Sequence, residues 1–207
     1  ALAAEAAGVR AKAWRNDTPA FHADEWRGMD LPGIVLDDFG GDYPADLVIN
    51  GTVLPEYHCY PMLAAGGQVL CGGDYALLHP VFGQLAWRAP VLPRVVMVIG
   101  GGDRALAWAR RLFSGELDFA AWGEVSALFG RAFPAFPELA DRAAELGVTA
   151  RQGLPSQELA TALAGASVAL ITGGMALNEC MALGVPSVVF PQLRNLEAEA
   201  AWFAAHD

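Results

Sequence analysis

The architecture of this chain is clearest in residues 167–190, which read SVALITGGMALNECMALGVPSVVF. The apolar run SVALIT is unbroken, which predicts a strand buried on both faces, as in a parallel sheet. The strand ends at Gly173 and Gly174, where a helix is predicted to begin, and that helix is predicted to end at Gly184. The apolar VVF that closes the stretch predicts a second strand. The stretch therefore indicates a strand–helix–strand unit.

The same alternation extends over the whole C-terminal half. VVMVIG predicts another buried strand, which stops at Gly100, and residues 103–113 have the apolar spacing of a helix. Further helices are predicted at 136–147, from a Ser156 N-cap onward, and at 196–205. Alternating strands and helices with short connections predict an α/β domain with a doubly wound parallel sheet over residues 94–207.

The N-terminal half is less regular. Residues 1–14 are predicted to be helical, and short strands are predicted at 33–38 and 45–50. Residues 87–93 contain two prolines, which predicts a linker after a reduced N-terminal α/β domain at 1–86.

Composition excludes several classes of partner. The formal net charge is −10, from 23 acidic and 13 basic residues, which argues against a nucleic acid or an anionic membrane surface. No apolar run reaches the roughly 18 residues of a membrane span. The three cysteines are odd in number and favour a reducing cytoplasm, and residues 1–14 lack the apolar core of a signal peptide. No pattern predicts a metal or a cofactor.

The glycines at 173 and 174 suggest an anion site. A strand that delivers glycines into a helix N-terminus leaves backbone N–H groups and the positive end of the helix dipole facing a ligand. Glu179 lies five residues after Gly174, about 7.5 Å along a helix, roughly the step from a diphosphate to its ribose. The alternative, a tight turn with a solvated glutamate, remains open from the pattern alone.

Gly100, Gly101 and Gly102 form a companion turn after the strand at 95–100. The spacing is neither the GxGxxG pattern nor a P-loop. Two glycine turns at the carboxyl ends of parallel strands nevertheless suit a ligand crevice where the strand order reverses.

Adjacent carboxylates, Asp37 and Asp38, end the strand predicted at 33–38. They could form a general acid/base pair. Neighbouring residues of a strand point to opposite faces, however, so at most one enters a cleft. Capping of the following turn is the favoured role.

Six segments, in order along the chain, carry a resemblance to a known family: IVLDD (34–38), ADLVING (45–51), VLCGGDYALLHPVF (69–82), VMVIGGGD (96–103), ITGGMALNECMALGVPSVVF (171–190) and RNLEAEAAWF (194–203). Together they resemble the PseG/SpsG group of UDP-2,4-diacetamido-2,4,6-trideoxy-β-L-altropyranose hydrolases of pseudaminic acid synthesis. These belong to the GT-B superfold, with MurG-type glycosyltransferases as cousins. The resemblance implies a GT-B-like fold and a UDP-linked deoxyamino sugar as substrate, with water attacking the anomeric carbon to release UDP.

The resemblance also implies site residues. Glu179 would bind the ribose, and Gly101 and Gly102 would face the phosphates or the sugar. The remaining nucleotide-sugar residues would be Gly173, Gly174, Met175, Asn178 and, in the late motif where the family has Asn-Gln, Asn195.

One departure concerns catalysis. The family's catalytic histidine lies in an N-terminal GxGH-type loop, and this sequence contains no such loop, so the catalytic residue is unknown. Either the loop precedes Ala1 or hydrolysis has been lost. A MurG-like glycosyltransferase and a non-catalytic nucleotide-sugar-binding or accessory protein are therefore the alternatives. A reduced N-terminal domain is also expected to expose a sheet edge near residues 34–36, covered by a second chain of the same or another protein.

Overall fold

The computed structural model describes residues 2–6, 9–15, 31–61, 63, 66–101 and 103–206. The chain divides into two compact units, Ala1–Leu77 and Leu78–Asp207. The division precedes the segment predicted as a linker, because Val81 and Phe82 are buried in the core of the second unit. Parallel sheets occur in both units, which confirms the predicted α/β class.

The first unit contains a five-stranded sheet in which the strands follow one another in chain order. β1 is antiparallel to β2, and all later neighbours are parallel. The strands are β1 (Leu2–Ala6), β2 (Val9–Arg15), β3 (Gly33–Asp37), β4 (Leu47–Asn50) and β5 (Gln68–Cys71).

Two predictions for this unit are wrong. The described residues of the segment 1–14, which are 2–6 and 9–14, are not helical, because β1 and β2 pair with each other and β2 pairs with β3. This pairing outweighs the helix propensity of the alanines, as tertiary context commonly does. Residues 34–36 are not a sheet edge, because β3 lies between β2 and β4 and pairs with both.

The described residues of the second unit form five strands and five α-helices. The strands are β6 (Arg94–Ile99), β7 (Glu124–Phe129), β8 (Thr149–Gln152), β9 (Val168–Ile171) and β10 (Ser187–Val189). The helices are α1 (Asp103–Leu112), α2 (Phe136–Glu145), α3 (Ser156–Ala164), α4 (Met175–Leu183) and α5 (Arg194–Ala205).

The second sheet is parallel throughout, in the order β10-β9-β6-β7-β8. Helices cover both of its faces. On one face Met97 packs in a core with α1 and α2, and on the other Val96 packs with α3 and α4. This arrangement explains why the β6 sequence is apolar at nearly every position.

Of two helix caps predicted from the sequence, the structure has one and lacks the other. Gly184 has φ +73° at the C-terminus of α4 and donates its N–H to Met181, which confirms the predicted glycine cap. Ser156 is not an N-cap, because it is the first residue of α3 and Pro155 occupies the capping position. Among the described residues, no helix has the length and apolar character needed to cross a bilayer.

Candidate functional site

The strand order of the second unit reverses between β6 and β9. β6 is followed by α1 on one face of the sheet, and β9 is followed by α4 on the other. Because the two connections leave in opposite directions, a crevice opens at the carboxyl ends of these strands. Both glycine turns noted in the sequence lie at this edge.

A cleft of about 280 Å³ occupies this edge, close to the lower end of the range for small-molecule pockets. It is formed by the last residues of β6 and β7, the segments that follow β8 and β9, and the start of α4. Its lining is mostly apolar, with three polar side chains and several glycines. The lining includes Val98, Leu128, Leu154, Leu159, Met175 and Ala176, then Arg131, Thr172 and Glu179, and the backbone of Gly100, Gly130, Gly153 and Gly173.

Two glycines at the start of α4 differ in their surroundings. Gly174 is the N-cap residue, with φ +69° and ψ −145°, and no described side chain caps the helix there. Only glycine adopts this conformation readily. A Cβ on Gly174 would meet nothing within 4 Å, whereas a Cβ on Gly173 would lie 3.2 Å from Leu196 Cδ1. The first N–H groups of α4 are therefore approached beside Gly174, and Leu196 covers the Gly173 side.

Glu179 lies in the same cleft, on α4. Its side chain is half-buried, and no hydrogen bond or ion pair joins its carboxyl to another residue in the described part of the chain. Desolvation by the surrounding apolar groups raises its pKa to about 7. A desolvated carboxyl without a protein partner is an acceptor that a bound ligand can use.

Thr172 joins the two sides of the crevice and was not singled out by sequence reasoning. Its hydroxyl accepts a hydrogen bond from the Gly100 N–H at 3.2 Å, and its own N–H donates to the Val98 carbonyl at 3.3 Å. Thr172 is buried. These bonds fix the glycine turn after β6 relative to the turn after β9.

The predicted site residues are only partly brought together. Met175, which is 52% exposed, lines the cleft with Gly173 and Glu179, beside the helix start at Gly174. The other described residues of the predicted set do not line it: Gly101, which is exposed, and Gly174, Asn178 and Asn195, which are half-buried. Gly102 lies outside the described residues.

Arg131 is a further lining residue that the sequence did not reveal. It follows Gly130 at the carboxyl end of β7, and its side chain is exposed at the cleft. Its position in the sequence could have identified it. EVSALFG is a third apolar run in the alternating pattern, Arg131 follows that run directly, and the carboxyl ends of parallel strands share one edge of the sheet.

In the first unit, Asp37 caps the turn that follows β3, as predicted. Its Oδ2 accepts the N–H groups of Phe39 at 3.2 Å and Gly40 at 2.6 Å. Asp37 is buried and Asp38 is exposed, in agreement with opposite faces of the strand. The two carboxylates therefore do not converge on one site.

The Asp37 carboxylate also anchors two tyrosines. The Tyr60 hydroxyl donates to Oδ2 at 2.8 Å and the Tyr43 hydroxyl donates to Oδ1 at 3.1 Å. Asn50 Nδ2 donates to the Tyr60 oxygen at 2.7 Å. Burial, and then the Asp37 charge, raise the pKa of Tyr43 above its usual range. The network is internally satisfied, which is typical of a structural role.

None of the three described histidines lines the cleft of the second unit. His58 Nε2 lies 2.9 Å from the Thr52 carbonyl, His79 accepts the Val81 N–H, and His206 stacks on Trp202. His22 lies outside the described residues. Among the residues that the structure describes, no histidine is thus placed in this cleft to act as a general base.

Comparisons with known proteins show a weak likeness to a solved structure. No family model matches the sequence, and no curated protein matches it. Among solved structures, the chain is similar to the crystal structure of Acinetobacter baumannii MurG, at 14% sequence identity and a TM-score of 0.43. The likeness covers 86% of this chain and 51% of the MurG chain. This chain therefore spans about half the length of the MurG chain. Membership of the PseG/SpsG group stays a prediction, and the cleft is interpreted from its own residues.

Proposed function

We propose that the second unit binds the nucleoside diphosphate part of a UDP-linked sugar in the cleft at the carboxyl ends of β6 and β9. One observation carries the proposal: the unpartnered carboxyl of Glu179 lines the same crevice as Met175 and Ala176, the first residues of α4, next to the open N-cap at Gly174. A ligand that carries an anion at one end and hydroxyl donors about 7.5 Å away would match both the start of α4 and the Glu179 carboxyl.

Each part of the ligand has a matching group. The diphosphate would accept hydrogen bonds from the first N–H groups of α4, where the helix dipole favours negative charge. The two ribose hydroxyls would donate to the Glu179 carboxylate. The base would contact the apolar part of the cleft, and the choice of uracil comes from the sequence resemblance. A GT-B-like fold is part of the same proposal.

The proposed reaction is transfer of the sugar away from UDP. In the hydrolase version, a water oxygen attacks the anomeric carbon and gives up a proton to the solvent, the bond from that carbon to the diphosphate oxygen breaks, and UDP leaves with the electron pair. In the MurG-like version, a sugar hydroxyl replaces water. In both, the start of α4 would stabilise the charge that develops on the leaving diphosphate. A deoxyamino sugar is the substrate that the resemblance implies.

A non-catalytic nucleotide-sugar-binding protein is the second candidate. The observation that favours it is the cleft itself, to which no described histidine contributes. Incubating the protein with UDP-sugars and measuring released UDP separates the candidates. Release above the rate without protein supports an enzyme, and binding without release supports the second candidate.

Calorimetric titration with UDP tests the binding site. We expect Glu179→Ala to weaken UDP binding about tenfold or more, because it removes a charged hydrogen-bond acceptor. Glu116→Ala is the matched control: it removes the same charge from an exposed position after α1 that does not line the cleft. Equal affinity in wild type and Glu179→Ala, or no UDP binding by the wild type, would overturn the proposal.

A further inference from the structure

Arg131 is a cation without a partner at the edge of the cleft. No hydrogen bond or ion pair of its guanidinium is found with the residues that the structure describes. Five other arginines of the second unit are engaged: Arg94 with Glu124, Arg104 with the Gln192 carbonyl, Arg110 with Glu138, Arg142 with Glu145, and Arg151 with Glu158. The side chain that lines the cleft is thus free to bind a ligand.

The turn that carries Arg131 is held by the Gln152 side chain in addition to two backbone hydrogen bonds, from the Gly130 N–H to the Ile99 carbonyl and from the Phe133 N–H to the Gly130 carbonyl. Gln152 Nε2, at the end of β8, points at three carbonyl oxygens of this turn: Phe133 at 3.0 Å, Arg131 at 3.3 Å and Gly130 at 3.4 Å. An amide donor directed at three carbonyls restrains the backbone at the carboxyl end of β7. Gln152 therefore contributes, with these backbone bonds, to fixing the position of the Arg131 Cα.

The stem of Arg131 packs over a glycine. A Cβ on Gly153 would lie 3.6 Å from the Cα, Cβ and Cγ of Arg131, and Gly153 has φ +65°. Because Gly153 has no side chain, the aliphatic part of the Arg131 side chain lies directly against the Gly153 backbone. Both the origin and the first part of the side chain are thus defined, which lowers the entropy lost when the guanidinium binds a ligand.

A cation in the cleft would complement an anionic ligand, in addition to the N–H groups at the start of α4. The protein has a net charge of −10, and Glu179 adds a carboxyl inside the cleft. Arg131 and Glu179 line the same cleft without forming an ion pair. Opposite charges that are both left without partners suit a ligand with an anion at one end and hydroxyl donors at the other.

We propose that Arg131 binds the phosphate oxygens of the ligand and that Gln152 positions it, so that the cleft selects a diphosphate over the uncharged nucleoside. This inference rests on the function proposed above. Guanidinium pairs with phosphate through paired hydrogen bonds as well as charge. Gln152 acts through the turn and has no role toward the ligand itself.

The test is titration with UDP by calorimetry and with uridine by NMR, for wild type, Arg131→Gln and Arg111→Gln. We expect Arg131→Gln to weaken UDP binding about tenfold or more and to leave uridine binding unchanged. Arg111→Gln removes the same charge from an exposed position at the end of α1 and should change UDP affinity less than twofold. UDP affinity that is unchanged in Arg131→Gln, or UDP and uridine affinities that fall equally, would overturn the inference.

Gln152→Ala tests the positioning role. We expect a several-fold loss of UDP affinity, no loss of uridine affinity, and no further loss when Gln152→Ala is added to Arg131→Gln. Additive losses in the double variant would show that Gln152 does not act through Arg131. Arg131→Lys keeps the positive charge but loses the paired donors of the guanidinium, so it should bind UDP with intermediate affinity. This variant serves as a second test if Arg131→Gln fails to fold.

Titration with inorganic pyrophosphate separates this inference from the proposed function. If wild type binds pyrophosphate but not UDP, and Arg131→Gln loses that binding, the anion site stands and the nucleotide assignment fails. If wild type binds neither, both fail. If UDP binding depends on Glu179 but not on Arg131, only the present inference fails.

Discussion

Glu179 carries a free-energy cost in the folded protein. Its carboxyl is surrounded by apolar groups, and its pKa rises from the ordinary value of 4.5 to about 7 because of desolvation. No partner among the described residues offsets this cost. A side chain that destabilises the fold but occupies a cleft is typical of a functional site, where stability is given up for binding.

This cost predicts a pH-dependent gain in stability for Glu179→Gln. Below about pH 4.5 the carboxyl is neutral in both folded and unfolded chains, so the variant and the wild type should be equally stable. As pH rises to about 7, the unfolded chain loses the proton first, and the wild type loses stability relative to the variant. We expect a gain of about 1 kcal/mol at pH 8, a discounted figure because water still reaches the carboxyl.

Urea unfolding at pH 4 and at pH 8 measures this difference. The control is Glu116→Gln, at an exposed position, which should change stability little at either pH. A Glu179→Gln variant that is less stable than wild type at pH 8 would show that the ionised carboxyl has a stabilising partner.

Two glycines with positive φ lie at the boundaries of elements, Gly123 before a strand and Gly184 after a helix. Gly123 has φ +81° just before β7, and a Cβ there would lie 2.4 Å from the Pro93 carbonyl oxygen. This close approach places the start of β7 beside the start of β6, where Arg94 pairs with Glu124. Gly184 has φ +73° at the end of α4, but a Cβ there would meet nothing within 4 Å.

Alanine at these two positions should therefore have unequal effects. Gly184→Ala is expected to lower the free energy of unfolding by about 1 kcal/mol, the cost of a left-handed alanine. Gly123→Ala should cost about 3 kcal/mol or more, because it adds a clash with backbone to the same strain. Chemical denaturation of both variants provides the comparison. Equal losses would mean that the chain before β6 can move away from residue 123.

The elements predicted well from the sequence are those whose residue pattern fits only one kind of secondary structure. β6 and β9 are unbroken apolar runs followed by glycine, and this pattern fits a buried parallel strand. The helix predicted at 1–14 is wrong for its described residues, because pairing of β1 with β2 and of β2 with β3 decides their conformation. The roles of Arg131 and Gln152 depend on which strands are neighbours, and a sequence pattern does not contain that information.

The second unit begins earlier than its composition suggests. Phe82 is fully buried among residues of α3 and α4, and the indole N–H of Trp87 donates to the Ala166 carbonyl at 2.6 Å. Prolines and exposed residues at 88–93 resemble a linker, but the chain on both sides of them belongs to one unit. Folding of the second unit thus requires residues that precede its sheet.

Phe82→Ala should destabilise the second unit selectively. Loss of a fully buried aromatic side chain costs about 3 kcal/mol or more. Hydrogen exchange should show faster exchange in β6, β7 and β9, while β3 and β4 keep their protection. Val91→Ala, at a fully exposed position of the same segment, should have no effect. Equal loss of protection in both sheets would indicate that the two units unfold together.

The central position of β6 has a consequence for the order of folding. β6 pairs with β9, and the first hydrogen bond between their starting segments, from the Arg94 N–H to Ser167, spans 73 residues of sequence. Contacts this distant along the chain form slowly, because a long loop must close before any pairing stabilises it. During synthesis, the β6–β7 pair can form long before β9 leaves the ribosome. The crevice at the carboxyl ends of β6 and β9 is therefore completed only after α4 has been synthesised, long after the β6–β7 pair.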